Sequence, residues 1–117
     1  RPADTPCSIV ERPGGRMTYV TFDIDCLHPA YAPGTGTPVA GGPSSAKILS
    51  VLRQLNQIDI VGADVVGVAP AYDHADITAI AGATVAMQYL GLLAERKARQ
   101  ENMNNHNAAE VNQASGI

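Results

Sequence analysis

Two aspartates placed two residues apart are the side chains of this sequence best suited to chemistry. Asp23 and Asp25 end the run MTYVTFDID, whose β-branched and aromatic residues predict a strand from Met17 to Asp25. Side chains i and i+2 of a strand project from the same face. Two carboxylates so close need a counter-charge, and hard oxygen ligands favour Mg, Ca or Mn. The spacing indicates a cation site, with ordinary strand-end acids facing solvent as an alternative of about equal weight.

A long loop follows the two aspartates and is the second feature that could belong to a site. Residues 26–43, CLHPAYAPGTGTPVAGGP, contain four Pro and four Gly, a composition that excludes a regular helix or a central strand. Loops of this length without secondary structure of their own are uncommon and often functional. We therefore expect this loop to shape the site.

The remaining elements must position that site, and they alternate between helix and strand. Serines offer an N-cap to a helix from Ser45 to Asn56. Ile58 to Val68 is an apolar run interrupted by Asp64, which is typical of a strand covered on both faces of a parallel sheet. Asp76 can cap a second helix, whose apolar periodicity continues to the basic segment ERKAR. This order predicts an α/β fold with a parallel sheet and sites at the carboxyl ends of its strands.

Composition argues against several classes of partner. Eight basic and eleven acidic residues give a net charge of −3 without a basic run, so we expect no nucleic-acid partner. The stretch from Ile77 to Ala94 is interrupted by polar residues and glycine, which favours a packed helix over a membrane span. Cys7 and Cys26 do not form a CxxC pair, and we expect two free, buried thiols in a reducing compartment such as the cytoplasm. Arg1 opens the chain without Met or a signal-like pattern, so we expect it to begin inside a longer sequence.

The motif FDIDCLHPAYAPGTGTP resembles the ureohydrolase family, which contains arginases and agmatinases. In that family an Asp-x-Asp at a strand end is followed by a Leu-Asp-Pro turn and a Gly-Thr-Pro loop. The later segment VGADVVGVAPAYDHADITAIAG is similar to its agmatinase and guanidino-acid hydrolase branch, so the resemblance covers about Gly15 to Arg99. It implies that residues 1–99 form the C-terminal third of a three-layer, arginase-like α/β fold with a parallel sheet.

The resemblance also implies a reaction and a set of site residues. In the family, two Mn²⁺ ions hold a water or hydroxide that attacks the guanidinium carbon, releasing urea and an amine. Asp23 and Asp25 match two of the metal ligands, Thr37 stands near the substrate guanidinium or shapes the loop, and Asp64 holds a loop or part of the substrate. No catalytic acid or base is assigned to this chain, and the complete family protein is expected to be a homo-oligomer.

The sequence departs from the family pattern in three ways. The upstream Gly-Gly-Asp-His and Asp-Ala-His-x-Asp motifs, which carry four ligands, do not occur, so we expect an incomplete metal site and an inactive chain. Gly67 replaces a glutamate that pairs with the guanidinium, a loss of about 2 to 4 kcal/mol of binding. His28 replaces the aspartate of the Leu-Asp-Pro turn, and we expect a distorted loop there. His74 is expected to be structural or to lie at an interface, with proton transfer as the alternative given half that weight. Asp73 and Asp76 are expected to be loop and helix caps.

Two further expectations concern the end of the chain and its role. Residues 100–117 hold five Asn and no apolar periodicity, which predicts a disordered tail in which His106 is solvated. Two strands and two helices leave open sheet edges, so we expect the chain to aggregate or to pair with other copies. A non-catalytic remnant or pseudoenzyme that acts only in assembly is the main alternative function. A small metal-independent binding module is a third, which leaves the long loop motif unexplained.

Overall fold

The structure is a computed structural model that describes Pro13 and residues 15–116. Its regular elements are strand β1 (Met17–Asp23), helix α1 (Ser45–Arg53), strand β2 (Asp59–Val66) and helix α2 (Ile77–Ala114). Short 3₁₀ segments lie at Ile24–Cys26, Gln54–Gln57 and Pro70–Tyr72. The alternation of strand and helix predicted from the sequence is confirmed, and the long loop between β1 and α1 has no regular structure.

The two strands form a parallel sheet. Its register runs from Met17 opposite Asp59 to Asp23 opposite Val66, with an irregularity after Thr18. Because the strands are parallel, the chain must cross over between them, and α1 lies in this crossover. The carboxyl ends of β1 and β2 therefore meet at one edge, where the sequence places Asp23.

One face of the sheet carries the core. Phe22 of β1 and Ile60 of β2 point to this face, and Val85 and Leu92 of α2 pack with them. Burying side chains of this size contributes roughly 1.5–3 kcal/mol each. The buried apolar residues are Phe22, Ile24, Leu27, Ala32, Leu52, Leu55, Ile58, Ile60, Val85, Tyr89 and Leu92. The strand, loop and helix segments thus share one small core.

The opposite face of the sheet is open within the described residues. Tyr19 is 60% exposed and Val66 is 43% exposed on this side. Asp64 of β2 links the two strands on this face. Its carboxylate accepts a hydrogen bond from the Tyr19 hydroxyl at 3.1 Å and from Thr21 Oγ1 at 2.6 Å. The prediction that β2 is covered on both faces is wrong for this part of the chain, since its helices cover only the core face.

Local hydrogen bonds account for where the helices begin. Ser44 accepts the backbone N–H of Lys47 at 3.1 Å, which confirms a serine N-cap for α1. Asp76, predicted to cap α2, instead has a left-handed backbone with φ +60° and makes no capping bond through its side chain. The carboxylate of Asp73 takes that role by accepting the N–H groups of Thr78 and Ala79. The cap therefore lies three residues earlier than expected.

Helix α2 is much longer than its buried part. Every described residue after Arg96 is exposed, and the helix continues to Ala114. This differs from the disordered tail expected from the composition, although the polar sequence does explain why these turns bury nothing. Arg96 itself forms an ion pair with Asp59 at the start of β2. By length and composition α2 could also cross a membrane, but core helices satisfy the same criteria and its Val85 and Leu92 are buried against the sheet.

Candidate functional site

The two aspartates lie at the strand end and in the turn that follows it. Asp23 is the last residue of β1, and its carboxylate accepts the backbone N–H of Asp25 at 3.2 Å. Asp25 belongs to the 3₁₀ turn Ile24–Cys26, so the pair is not spaced along one strand as predicted. The physical reason is that Asp23 caps the turn with its own side chain, which ends the strand two residues early.

Thr37 closes over this pair from the long loop. Its hydroxyl donates to Asp25 Oδ2 at 2.8 Å, which connects residues twelve positions apart. The single hydroxyl proton is thereby used, and only the oxygen lone pairs remain for a further group. A guanidinium offers donors and no acceptor, so its chemistry matches what Thr37 still presents. The structure thus brings together three of the four residues singled out for metal or substrate.

The carboxylates offer too few donors for a metal centre of their own. Within the described residues, Asp23 Oδ2 and Asp25 Oδ1 take part in no hydrogen bond, and both side chains are at least partly exposed. The part of the chain that the structure describes contains no group of three or more His, Cys, Asp or Glu side chains able to hold an ion. Hard cations bind through about six or more oxygen ligands. Carboxylate oxygens are the kind of ligand that a hard cation prefers, but these two carboxylates provide too few of them.

Gly67 lies directly beside Asp23, across the end of the sheet. Its backbone is left-handed, with φ +89°, and a Cβ placed there would lie 2.5 Å from Asp23 Oδ1. Gly67, one of the positions expected to depart from the family pattern, is therefore next to the candidate site. Sequence reasoning identified Gly67 by comparison of motifs, but nothing in the pattern indicated that its neighbour is Asp23.

Asp64 is not part of this group of side chains. Both of its carboxylate oxygens are used by Tyr19 and Thr21 on the open sheet face. The hydrogen bond to Asp64 raises the pKa of Tyr19, and desolvation and the charge of the carboxylate act in the same direction. A contact with substrate stays a prediction for Asp64. Its observed partners give it a role in holding β1 to β2.

His28 preserves the turn that an aspartate would make. Its Nδ1 accepts the backbone N–H of Ala30 at 3.0 Å, and its carbonyl oxygen accepts the N–H of Tyr31 at 2.8 Å. An aspartate in such a turn uses a carboxylate oxygen as the acceptor. The imidazole nitrogen is thus the acceptor in this turn, and a distortion of the loop relative to the family stays a prediction.

Gly34 anchors the middle of the loop, a role that sequence reasoning missed. Its N–H donates to Thr78 Oγ1 at 2.7 Å, and its carbonyl oxygen accepts the N–H of Ala69 at 2.7 Å. A Cβ at this position would lie 2.6 Å from Asp73 Cβ, so only glycine fits without a shift of Asp73. The signal available in the sequence was a glycine three residues before Thr37, in the segment PGTGTP.

Asp73 stabilises the start of α2 and lies against Gly34. Desolvation alone would raise its pKa, but hydrogen bonds from Thr78, Ala79 and His74 outweigh it and lower the pKa to about 2. Most of these donors are backbone N–H groups of the first helical turn, where a negative charge is favourable. Asp73 thus caps the helix in place of Asp76, and the side chain of His74 remains exposed.

Cys26 lies next to the aspartates with a poorly reactive thiol. It is free and exposed, which corrects the expectation of a buried thiol, and Cys7 lies outside the described residues. Desolvation raises the pKa of Cys26, and the charges of Asp25 and Asp23 raise it further. Because the thiolate is the nucleophile, these carboxylates disfavour thiol chemistry at this site.

Comparison with known proteins gives consistent matches over most of the chain. The model of the arginase family matches residues 4–91. An agmatinase of Neisseria meningitidis serogroup C is 56% identical over 94 residues, which are 80% of this chain and 31% of that protein. The crystal structure of a hypothetical agmatinase from Burkholderia thailandensis is 58% identical with a TM-score of 0.74, over 80% of this chain and 31% of that one. Proclavaminate amidino hydrolase from Streptomyces clavuligerus is 39% identical with a TM-score of 0.74, over 78% and 32%. The chain therefore spans about a third of the length of these relatives.

Proposed function

Because this chain belongs to the arginase family, we propose that it supplies part of a site that hydrolyses a guanidino compound to urea and an amine. One observation carries the proposal: Asp23, Asp25 and Thr37 meet at the carboxyl end of β1. The similarity to proteins named agmatinase favours an agmatine-like substrate, a linear chain with a guanidinium at one end.

The residues of this chain would act by binding and orientation. Asp23 and Asp25 would be two of the ligands of the family's manganese pair, whose chemistry is to lower the pKa of a bound water. The described residues contain two carboxylates and no group of three possible ligands, so other residues would have to complete a manganese site. Thr37 would orient Asp25 through its hydrogen bond and accept a guanidinium N–H through its remaining lone pairs.

We propose the remaining features from the same resemblance. The complete protein would be a homo-oligomer in the cytoplasm, with ligands from upstream strands completing the metal site. This chain without them would release no urea.

A second candidate is a non-catalytic member of the family that acts only in assembly. Gly67 favours it, because glycine offers no carboxylate to a guanidinium beside Asp23. Loss of a charge-assisted partner of this kind costs roughly 2 to 4 kcal/mol of binding. The two candidates share ancestry and differ in whether substrate is turned over.

The test joins this chain to the upstream part of the Burkholderia thailandensis relative and measures urea release with added Mn²⁺. Agmatine and guanidino acids are offered as substrates. We expect slow release of urea from agmatine, abolished by Asp23→Asn or Asp25→Asn. Asp59→Asn is the matched control, because this carboxylate pairs with Arg96 at the other end of the sheet.

Two outcomes would count against the catalytic proposal. One is a joined protein that binds Mn²⁺ yet releases no urea, while its Gly67→Glu variant does. The other is equal loss of activity in Asp59→Asn and Asp25→Asn, which would make the effect structural. The first outcome supports the non-catalytic candidate.

A further inference from the structure

The hydroxyl of Thr78 is a buried polar group to which the proposed function assigns no role. Thr78 is 0% exposed and lies in the first turn of α2. Its oxygen accepts the backbone N–H of Gly34 at 2.7 Å, and Gly34 is itself buried in the long loop. Both partners have little freedom to move, because one is a backbone group and the other is a side chain enclosed by the core.

Asp73 fixes the orientation of Thr78. Its carboxylate accepts the backbone N–H of Thr78 at distances of 3.0 and 3.1 Å to its two oxygens, and it also forms a side-chain hydrogen bond with Thr78. A threonine hydroxyl has one proton, so donation to the carboxylate leaves the lone pairs of its oxygen for the N–H of Gly34. The first turn of α2 thus presents an acceptor of fixed orientation to the loop.

The exposed segment 36–41 follows this anchor and carries Thr37. Within the described part of the chain, its one hydrogen bond is the bond from the Thr37 hydroxyl to Asp25 Oδ2 at 2.8 Å. The loop is fixed again at its end, where the N–H of His28 donates to the carbonyl oxygen of Pro43 at 3.0 Å. The anchor three residues before Thr37 is therefore the nearest hydrogen-bonded support of the segment.

We propose that Thr78 is a positioning residue for Asp25, acting through Gly34 and Thr37. The bond from Gly34 to Thr78 fixes where the loop leaves the core, and this places the Thr37 hydroxyl within reach of the Asp25 carboxylate. Without the acceptor at position 78 the loop moves more freely, and the Thr37 hydroxyl no longer holds Asp25 in one orientation. The importance of this contact for a metal ligand rests on the proposed function, but the coupling between positions 78 and 37 does not.

A double-mutant cycle on this chain tests the coupling without metal or substrate. Thr78→Val keeps the shape of the side chain and removes the acceptor, and Thr37→Val removes the donor to Asp25. The changes are made singly and together, and the folding equilibrium constant is measured by urea denaturation. Thr84→Val is the matched control, because this hydroxyl donates to the carbonyl oxygen of Ile80 within α2. A purely structural effect of Thr78→Val would simply add to the effect of Thr37→Val.

We expect Thr37→Val to lower the folding equilibrium constant about threefold in the wild-type chain and in Thr84→Val, the net effect of one hydrogen bond. In Thr78→Val the same change should have almost no effect. In Thr78→Ser, which keeps the hydroxyl oxygen, the loss caused by Thr37→Val should be the same as in the wild-type chain.

An equal effect of Thr37→Val in the wild-type chain and in Thr78→Val would overturn the proposal, as would the absence of any effect in the wild-type chain. If Thr78→Val leaves this chain unfolded, the same variants are compared by their thermal unfolding midpoints in the protein joined to the upstream part of the Burkholderia thailandensis relative. The expected pattern is unchanged there, and it does not depend on whether urea is released.

Discussion

Asp73 shows how one carboxylate can fix both a helix start and a loop. Its pKa is lowered to about 2 from an ordinary value of 3.8, because Thr78, Ala79 and His74 donate to its charged form. A depressed pKa means that the folded state favours the ionised carboxylate. Its contribution to stability is therefore complete above pH 3.8 and is lost as the pH falls towards 2.

We expect Asp73→Asn to remove most of this pH dependence. Urea denaturation midpoints at pH 7, 4 and 2.5 should fall steeply for the wild-type chain at the lowest pH and less for the variant. Asp76→Asn is the matched control, because Asp76 makes no capping bond through its side chain. Equal pH profiles for the wild-type chain and Asp73→Asn would contradict the assignment.

Tyr89 presents the opposite case of a polar atom without a partner. Its hydroxyl is buried and has no hydrogen-bond partner within the described residues. The pKa of Tyr89 is raised to about 12, mainly by burial and further by the charges of Asp64, Cys26 and Tyr19. A buried unsatisfied polar group costs about 1 to 3 kcal/mol. We therefore expect Tyr89→Phe to raise the free energy of unfolding by about 1 kcal/mol, measured by chemical denaturation at neutral pH. A loss of similar size would show that the hydroxyl has a partner.

At the scale of elements, helix α2 divides into a packed half and an exposed half. An isolated helix in water is marginal, and most helical stability in proteins comes from packing of one face. The turns after Arg96 have no buried residue, so they lack that support. The polar composition of this segment led to the prediction of a disordered tail. The segment is helical instead, but it contributes little to the core, as that prediction also implied.

We expect removal of residues 100–117 to leave the free energy of unfolding unchanged within about 0.5 kcal/mol. In the intact chain, amide hydrogens after Arg99 should exchange far faster than those near Val85 and Leu92. Circular dichroism of the shortened chain measures how much helix content the truncation removes. Slow exchange in the tail, or a destabilised core after truncation, would show that these turns pack against something.

Elements were more predictable than the contacts between them. Pro and Gly marked the long loop, and apolar runs marked both strands, because these signals are local. The predicted end of β1 was two residues too late, because Asp23 caps the turn that follows the strand. The predicted cap of α2 was Asp76, but the carboxylate of Asp73, in the preceding loop, accepts the first N–H groups of the helix. The contact of Gly67 with Asp23 joins residues 44 positions apart, which no local pattern encodes.

At the scale of the whole molecule, the sheet is the least protected part of the fold. It has two strands, so each strand has an unpaired edge within the described residues, and one face carries exposed Tyr19 and Val66. Exposed edges and apolar faces are templates for association. One face of the sheet is covered by the core, and the other face can associate with another molecule.

We expect the chain to run larger than its 12.2 kDa monomer in sedimentation velocity, increasingly so at higher concentration. Val66→Lys on the open face should shift the distribution towards monomer. Met103→Lys, which is 65% exposed on the distal part of α2, is the control and should change little. A folded monomer at all concentrations would contradict this expectation.

The anchor at Gly34 has a consequence for how such a sequence can vary. Thr37 is close in sequence to β1, but the loop that carries it is held by Thr78 and Ala69 and lies against Asp73. A side chain at position 34 would meet the Cβ of residue 73, so it is tolerated only when position 73 is glycine or shifts away. Position 73 can change only when the helix start finds another acceptor. Positions 34 and 73 should therefore covary among relatives. A change in the loop should thus be accompanied by a change at the start of a helix some 40 residues away.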